Sequence, residues 1–425
     1  MKTNIKTPGL LPDCAIKALA LLVAMLFVTS SFAYTFEEDG IYYYTSGSLA
    51  IVTYSSTNFN SYSGDVIIPR TVTHNGKTYT VYQIEENAFR ACTDLYSVQI
   101  PNTVRLIYPY AFAGSSKLKR VVLPDSLFQI SKNAFSACSE LEDIKLGNHL
   151  RSLGKHVFGG CKSITHIEIP NLIKIIPEGA FLGCDNLNRV VLPDSLKAIN
   201  SIAFNSCKSL KSIEIPCGLT IIANGAFNGS GLKTLYWNAK NCKYDYQGTQ
   251  NVEDTTLNAP FSISDSLSHI IIGDNVESIG DYIFYSPPAS DYIDSHMNIK
   301  IVTCKALVPP TISSKCFADE TYENAILCVP EEVISVYRTK PGWIKFRYCV
   351  AIDDDIIAGD VNGDDKINIS DVTALIDFLL SDDDSHINRA NSDVNGDGEI
   401  NISDVTSLID ILLTQQRHDI KPSLK

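Results

Sequence analysis

The sequence predicts an α/β solenoid of 23-residue repeats with a parallel sheet on one side, followed by a small all-α module. Three observations predict it. Phe89, Phe112, Phe135, Phe158, Phe181, Phe204 and Phe227 are each 23 positions apart. Each repeat carries an alternating apolar segment ending in proline, such as Leu210-Lys-Ser-Ile213-Glu-Ile215-Pro216. A twelve-residue acidic loop occurs twice near the end of the chain, 33 positions apart.

A fixed period over seven copies marks a solenoid. Three residues after each Phe stands Cys92, Ser115, Cys138, Cys161, Cys184, Cys207 or Ser230, and three further on Leu95, Leu118, Leu141, Ile164, Leu187 or Leu210. The alternating stretch reads as a half-buried strand. Proline ends it, because it has no N–H for the ladder. The Phe-x-x-Cys stretch turns the chain back, so stacked coils enclose a Phe/Cys/Leu core. About eight coils at ~4.8 Å give a rod on the order of 40 Å. Gly147 replaces the proline of one repeat, the register slips by one at Gly231-Leu232, and Lys240 to Ser268 interrupts the period. It resumes from Ile272 through Ile279 and Phe284.

The strands point alternate residues outward. These are Ser97/Gln99, Arg120/Val122, Asp143/Lys145, His166/Glu168, Arg189/Val191, Ser212/Glu214 and Thr234/Tyr236, a mixed polar face open to a protein or glycan. His166 and Glu168 read as solvated decoration. No HExxH, phosphate loop or nucleophile elbow is present, so the chain reads as a non-enzyme.

The first acidic loop runs from Asp360 to Asp371 and the second from Asp393 to Asp404. Oxygen side chains fall at loop positions 1, 3, 5, 9 and 12: Asp360, Asn362, Asp364, Asn368, Asp371, then Asp393, Asn395, Asp397, Asn401, Asp404. A hard cation such as Ca²⁺ takes six to eight oxygens at about 2.3–2.6 Å, and this spacing can wrap them around one point. The backbone carbonyls of Lys366 and Glu399, at position 7, add a ligand each. Two Ca²⁺ ions are expected. Each loop leads into a helix with an apolar stripe: Val372, Leu375, Ile376 and Leu379, then Val405, Leu408, Ile409 and Leu412. The pair has little core, so metal supplies much of its folding free energy. No helix-forming segment precedes the first loop, so each copy reads as a loop plus one exiting helix.

The ends and composition bound the rest. Lys2, Lys6 and Lys17, the apolar run Ala18 to Val28 and Ser31-Phe32-Ala33 read as a signal peptide over residues 1–33. The run is too short to span a bilayer, so the chain reads as secreted and not integral to a membrane. From Asp353 onward 17 acidic residues meet five basic ones, a net −12 out of the chain's −13. The acidity therefore belongs to the C-terminal module, and no basic stripe indicates nucleic acid. Eleven cysteines follow Cys14. The five on the repeat ladder read as small buried hydrophobes. Cys217, Cys242, Cys304, Cys316, Cys328 and Cys349 leave one or two disulfides open.

The repeat unit L-x-x-I-x-I-P-x-x-L-x-x-I-x-x-x-A-F-x-x-C resembles the BspA-like leucine-rich repeats of bacterial and protist surface proteins, from Val66 to Val350. That resemblance implies a leucine-rich repeat solenoid over residues 66–350 with an N-terminal cap over 34–65 and a terminal cap around Leu327, Tyr337, Trp343 and Phe346. The duplicated loop-helix unit over 360–413, behind a linker at 351–359, resembles a type I dockerin, a small all-α calcium-binding module that binds a cohesin domain. It implies the calcium ligands named above and puts partner contacts at Ile369, Ser370, Ile402 and Ser403. Two residue choices differ from the pattern. Asp365 stands where glycine is usual, and Asp377-Phe378 and Asp410-Ile411 stand where cellulosomal dockerins carry basic residues. Together these imply a secreted bacterial adhesion protein attached to a cohesin-type scaffold, binding host or microbial surface proteins or glycans. The alternative is a component of a secreted, cellulosome-like polysaccharide-degrading complex.

Overall fold

The computed structural model describes residues 34–55, 59–245, 259–285, 297–352, 359–364, 366–381, 387, 389–395 and 400–419. The signal-peptide segment, most of the 351–359 linker, and Asp365, Asp397 and Glu399 lie outside these residues.

The chain opens with an antiparallel meander, Phe36–Glu38, Ile41–Ser46 and Leu49–Thr53. From its last strand onward the chain coils. The strands expected from the alternating segments stack in parallel register: Gly64–Ile67 beside Leu95–Gln99, then Arg120–Val122 and Asp143–Ile144. His166–Glu168 pairs with Arg189–Val191. Ser212–Ile215 begins a six-stranded sheet continuing through Thr234–Trp237, His269–Ile272, Ile301–Cys304, Ile326–Val329 and Tyr348–Ala351.

A second stack runs along another side of the coils. It is made mostly of two- and three-residue strands such as Leu106–Ile107, Gln129–Ile130, Ala198–Ile199 and Ile221–Ala223, also parallel, with the longer Asn241–Asp245 beside the last of these. These strands use the segment that follows each proline, and each buries an isoleucine in the core (Ile107, Ile130, Ile199, Ile222), with Ala198 and Ala223 buried beside two of them.

The turn around each Phe is set by backbone conformation. Asn87, Tyr110, Asn133, His156, Gly179, Ile202 and Gly225 stand two residues before it, all with φ between 50 and 60°. Ala91, Gly114, Ala137, Gly160, Gly183, Ser206 and Gly229, two residues after it, also have positive φ. Two left-handed residues per coil reverse the chain so that backbone N–H groups point at the next coil. Phe112 N–H donates to the Ala134 carbonyl at 2.7 Å and Gly114 N–H to Ser136 at 2.8 Å.

Inside, the Phe rings form one stack. Phe89 and Phe112 lie 4.8 Å apart at 7°, Phe112 and Phe135 4.9 Å apart at 3°. The stack crosses the interrupted region: Phe261, 34 residues after Phe227, lies 5.0 Å from it at 7°. Phe261 therefore fills the core position of its coil although the period is interrupted before it. Beyond Phe317 the rings of Tyr322, Trp343 and Phe346 close the end. Tyr322 belongs to the short helix α1 (Asp319–Asn324), and Tyr337 ends α2 (Ile334–Tyr337). This supplies the cap that an open last coil needs.

The ladder cysteines do more than fill space. Cys138 Sγ donates to the Phe112 carbonyl at 3.1 Å, Cys161 to Phe135 at 3.1 Å, Cys184 to Phe158 at 3.2 Å and Cys207 to Phe181 at 3.3 Å. Ser115 Oγ makes the same bond to Phe89 at 2.6 Å, and Ser264 Oγ to Phe227 at 3.2 Å. Each thiol or hydroxyl ties its coil to the previous Phe. Burial pushes the thiols of Cys138 and Cys184 up to about 12. All eleven cysteines after Cys14 are free thiols, which answers the open disulfide question, and Cys217 alone among them is exposed.

Candidate functional site

The C-terminal module has its own small core: Val361, Val372, Leu375, Phe378, Val405 and Leu408. Helix α3 (Ile369–Ser381) leaves the first loop, and α5 (Ile402–Asp419) leaves the second. A one-turn helix, α4 (Arg389–Ser392), precedes the second loop, where a bare loop was expected. The inner stripe of α3 is Val372, Leu375 and Phe378, with Leu379 partly buried. Ile376 and Ile409, expected on the inner stripes, face outward at 38% and 40% exposure. Helical spacing admits either 375/378 or 376/379 pairs, and the Phe378 ring takes the inner place.

The first loop folds back on itself through its carboxylates. Asp364 N–H donates to Asp360 Oδ1 at 2.9 Å and to Asn362 Oδ1 at 3.0 Å. Lys366 N–H donates to Asp364 Oδ1 at 3.0 Å. Asp371 accepts from both ends of the loop, Asn362 N–H on Oδ1 at 3.1 Å and Asn368 N–H on Oδ2 at 2.8 Å. Asn368 Oδ1 accepts the Ser370 N–H at 2.8 Å. Asn368 is thus the N-cap of α3, and Asp371, three residues on, returns a bond to the cap N–H, a capping box. Asp fits this role, its short arm reaching back over one helical turn.

The second loop repeats the pattern. Asn395 and Asn401 N–H donate to Asp404 Oδ1 and Oδ2 at 3.0 and 2.9 Å, and Ser403 N–H donates to Asn401 Oδ1 at 2.8 Å. Asp360, Asn362, Asp364, Lys366, Asn368 and Asp371 are therefore gathered in one loop; Asp393, Asn395, Asn401 and Asp404 belong to the other. Asp371 and Asp404 are 0% exposed and take part in no ion pair among the described residues. A buried carboxylate is costly unless a cation compensates it. The donor set is all oxygen, as a hard cation requires, so the residues fit Ca²⁺.

The two loops are tied together. Asn391, 1% exposed, donates Nδ2 to the Asp360 carbonyl at 2.8 Å, and its own carbonyl accepts the Gly359 N–H at 2.8 Å. Sequence reasoning passed over this residue because it lies outside both loops.

The expected partner-contact residues are exposed in matching fashion. Ile369 is 70% and Ile402 69% exposed, and Ser370 and Ser403 are exposed beside them.

On the solenoid, Arg120, Val122, Lys145, His166, Glu168, Arg189, Val191, Ser212, Glu214 and Tyr236 are exposed on the sheet, with Thr234 half-buried. The same face continues past Tyr236 and turns apolar. Ile301, Ile326 and Tyr348 form one row, with Val350 in the next, all exposed. The interruption after Lys240 concealed these strands, although alternation at Ile301 and Ile326 carried the signal. No helix among the described residues is long and apolar enough to cross a membrane.

The BspA type leucine rich repeat family model matches residues 71–188, 129–253, 160–306 and 257–322. The dockerin type I domain model matches residues 358–413. Dockerin type I domains bind calcium and bind cohesin domains. Both matched domains are non-catalytic kinds. Among curated proteins none matches the chain. Similar solved structures include a leucine-rich repeat protein from Bacteroides ovatus, 25% identical over 71% of this chain and 80% of that chain, TM-score 0.46. A leucine rich cell surface protein from Faecalibacterium prausnitzii is 22% identical over 75% of this chain and 94% of that chain, TM-score 0.46. A leucine rich repeat protein of T. pallidum is 27% identical over 48% and 85%, TM-score 0.37. The chain belongs to the BspA type leucine rich repeat family and carries a dockerin type I domain at its C-terminal end.

Proposed function

We propose that this chain is a secreted, non-catalytic binding or adhesion protein of a bacterium, held outside the cell by calcium-dependent docking to a cohesin-type scaffold. The observation that carries this is the pair of fully buried carboxylates, Asp371 and Asp404, each bridging the two ends of its own oxygen-lined loop. Two Ca²⁺ ions fit, one per loop. The ligands are Asp360, Asn362, Asp364, Asn368, Asp371 and the Lys366 carbonyl, then Asp393, Asn395, Asp397, Asn401, Asp404 and the Glu399 carbonyl. Bound Ca²⁺ supplies positive charge among these acids. The chain's own residues orient the oxygens and start the helices through the Asn368–Asp371 and Asn401–Asp404 caps. Ordered helices then present Ile369, Ser370, Ile402 and Ser403 to the cohesin.

The solenoid is the binding part. Its sheet face is broad, mixed in charge towards the N-terminal coils and apolar towards the C-terminal ones, which suits a surface protein or glycan rather than a substrate needing a closed cleft. The dockerin match supports a second reading, a component of a secreted polysaccharide-degrading complex. The two share the attachment and differ in what the sheet face holds. Surface plasmon resonance of the full chain over immobilised type I cohesin domains tests the attachment. Binding in millimolar calcium that disappears in EDTA is expected, and binding indifferent to EDTA overturns calcium-dependent docking.

A further inference from the structure

The second strand stack carries a column of cations. Arg105, Arg151, Lys174 and Lys197 stand at the same place in their coils, immediately before the short strand, with Phe128 between the first two. They are one or two periods apart in the sequence, so no basic run marks them, and coiling alone brings them together. Backbone bonds set the column: Phe128 N–H donates to the Arg105 carbonyl at 2.8 Å, Arg151 N–H to Phe128 at 3.0 Å and Lys197 N–H to Lys174 at 2.8 Å. At ~4.8 Å per coil it runs about 19 Å from Arg105 to Lys197. All five residues are exposed.

These cations keep their charge. Arg105 Nη1 donates to the Ser126 carbonyl at 2.9 Å, Lys174 Nζ to that of Asn171 at 3.1 Å and Lys197 Nζ to that of Gly218 at 3.2 Å. Arg151 lies over the Phe128 ring, 5.5 Å from its centroid. Among the described residues none of the four is ion-paired, whereas Lys117, Lys155 and Lys208 elsewhere on the coils meet Asp94, Glu178 and Asp185. Like charges on neighbouring strands are destabilising. The column therefore does nothing for the fold, and it suits an anion lying along it.

The spacing describes that anion. One cation per coil, rather than a cluster, matches a linear polymer with one carboxylate per repeat, and an Arg fork takes a carboxylate bidentately. Ile175, 50% exposed beside Lys174, offers an apolar contact to the carbon face of a sugar ring. Duplex nucleic acid carries a charge every ~1.7 Å, far denser than the column. Single strands need a series of stacking rings; the column has Phe128, and Arg151 already covers it.

We propose that this column is a track for an unbranched polyuronate, a polysaccharide with one carboxylate per sugar, whose carboxylates meet Arg105, Arg151, Lys174 and Lys197. This rests on the reading of the solenoid as the binding part. It uses no residue of the C-terminal module or of the main sheet face, so its failure is separable from theirs.

The test is isothermal titration of the calcium-loaded, dialysed full chain with size-defined oligogalacturonates at low salt. The variant is Arg151→Gln/Lys174→Gln/Lys197→Gln. The control, with the same change of charge, is Lys117→Gln/Lys155→Gln/Lys208→Gln, and circular dichroism checks the fold of each. Affinity should rise with oligomer length until the column is spanned and fall with added salt. The variant should lose about tenfold or more, and the control should stay within about twofold. Equal losses in the two would show attraction to net charge and overturn the track. No binding by the wild type overturns it as well, and leaves the cohesin docking and the sheet face untouched. Heparin or single-stranded DNA held more tightly than oligogalacturonate through the same three residues overturns the polyuronate as the ligand.

Discussion

Asn391 donates its side-chain N–H to the carbonyl of Asp360, 31 residues earlier, at 2.8 Å, and both residues are buried. The residue two positions ahead of the second loop therefore holds the backbone of the first acid of the first loop. The two acidic loops are one unit, joined by a bond that uses none of the proposed ligand atoms.

Asn391→Ala should weaken the first calcium site although it removes no ligand. Losing the bond leaves the buried Asp360 carbonyl with its longer 3.4 Å bond from the Gly363 N–H, a loss of up to about 1.5 kcal/mol. Calcium titration of the full chain should show one affinity reduced by about tenfold, at ~1.4 kcal/mol per decade. Unchanged affinity at both sites would show that Asn391 has no part in shaping the loop.

Cys184 joins coils by a bond that a serine can also make. The repeat pattern alone makes Cys→Ser an insertion of a hydroxyl into an apolar core. The structure changes that expectation, because Ser115 and Ser264 occupy the same place and bond the preceding Phe carbonyl. Cys184→Ser should cost under about 1 kcal/mol, and Cys184→Ala about 1 kcal/mol or more from the lost bond. Urea unfolding of the two variants checks the order; a serine variant clearly weaker than the alanine one contradicts it.

Thiol reactivity follows burial. With the Cys138 and Cys184 thiols pushed up to about 12, almost no thiolate forms at pH 8. Iodoacetamide at pH 8 should label Cys217, the exposed thiol, and spare Cys138, Cys161, Cys184 and Cys207 until the protein is unfolded. Mass spectrometry that finds the ladder cysteines labelled in the native chain would refute their packing.

Ile202 holds φ 50° at a place where other coils have Asn87, Asn133, Gly179 and Gly225. A β-branched residue pays about 1–2 kcal/mol in the left-handed region, which Asn tolerates. Ile202→Asn should raise stability by about 1 kcal/mol, read as an upward shift of the thermal midpoint. A fall would mean that the partial burial of the isoleucine outweighs its backbone strain.

Much of this was legible in the sequence because repetition amplifies weak signals. One Phe-x-x-Cys means little, but seven Phe at one period, five of them followed by Cys, place a ring stack and a thiol ladder. Twelve-residue loops with oxygens at fixed positions announced their carboxylates, and the Asn368–Asp371 cap follows from an acid three residues after an Asn. The second strand stack was not legible, since two residues cannot display alternation. Phe261 lay inside the broken period and was recognisable only from its ring against Phe227. The inner helix stripe was misassigned at Ile376 because neighbouring apolar residues fit the same helical period, and ring packing of Phe378 decides between them.

The docking faces are duplicated, so either should serve. Ile369→Asp/Ser370→Asp alone, or Ile402→Asp/Ser403→Asp alone, should lower cohesin affinity by about twofold, the loss of one of two equivalent modes. All four changes should abolish it. One pair abolishing binding with calcium still loaded would show a single orientation, and binding that survives all four would move the contacts elsewhere.

Calcium stoichiometry, measured by isothermal titration of the full chain with helicity followed by circular dichroism, decides most directly whether the two loops are metal sites that order the module. Two ions per chain and a gain of helix on binding are expected, with Asp360→Ala plus Asp393→Ala abolishing both. No calcium uptake, and identical helicity with and without EDTA, would contradict it.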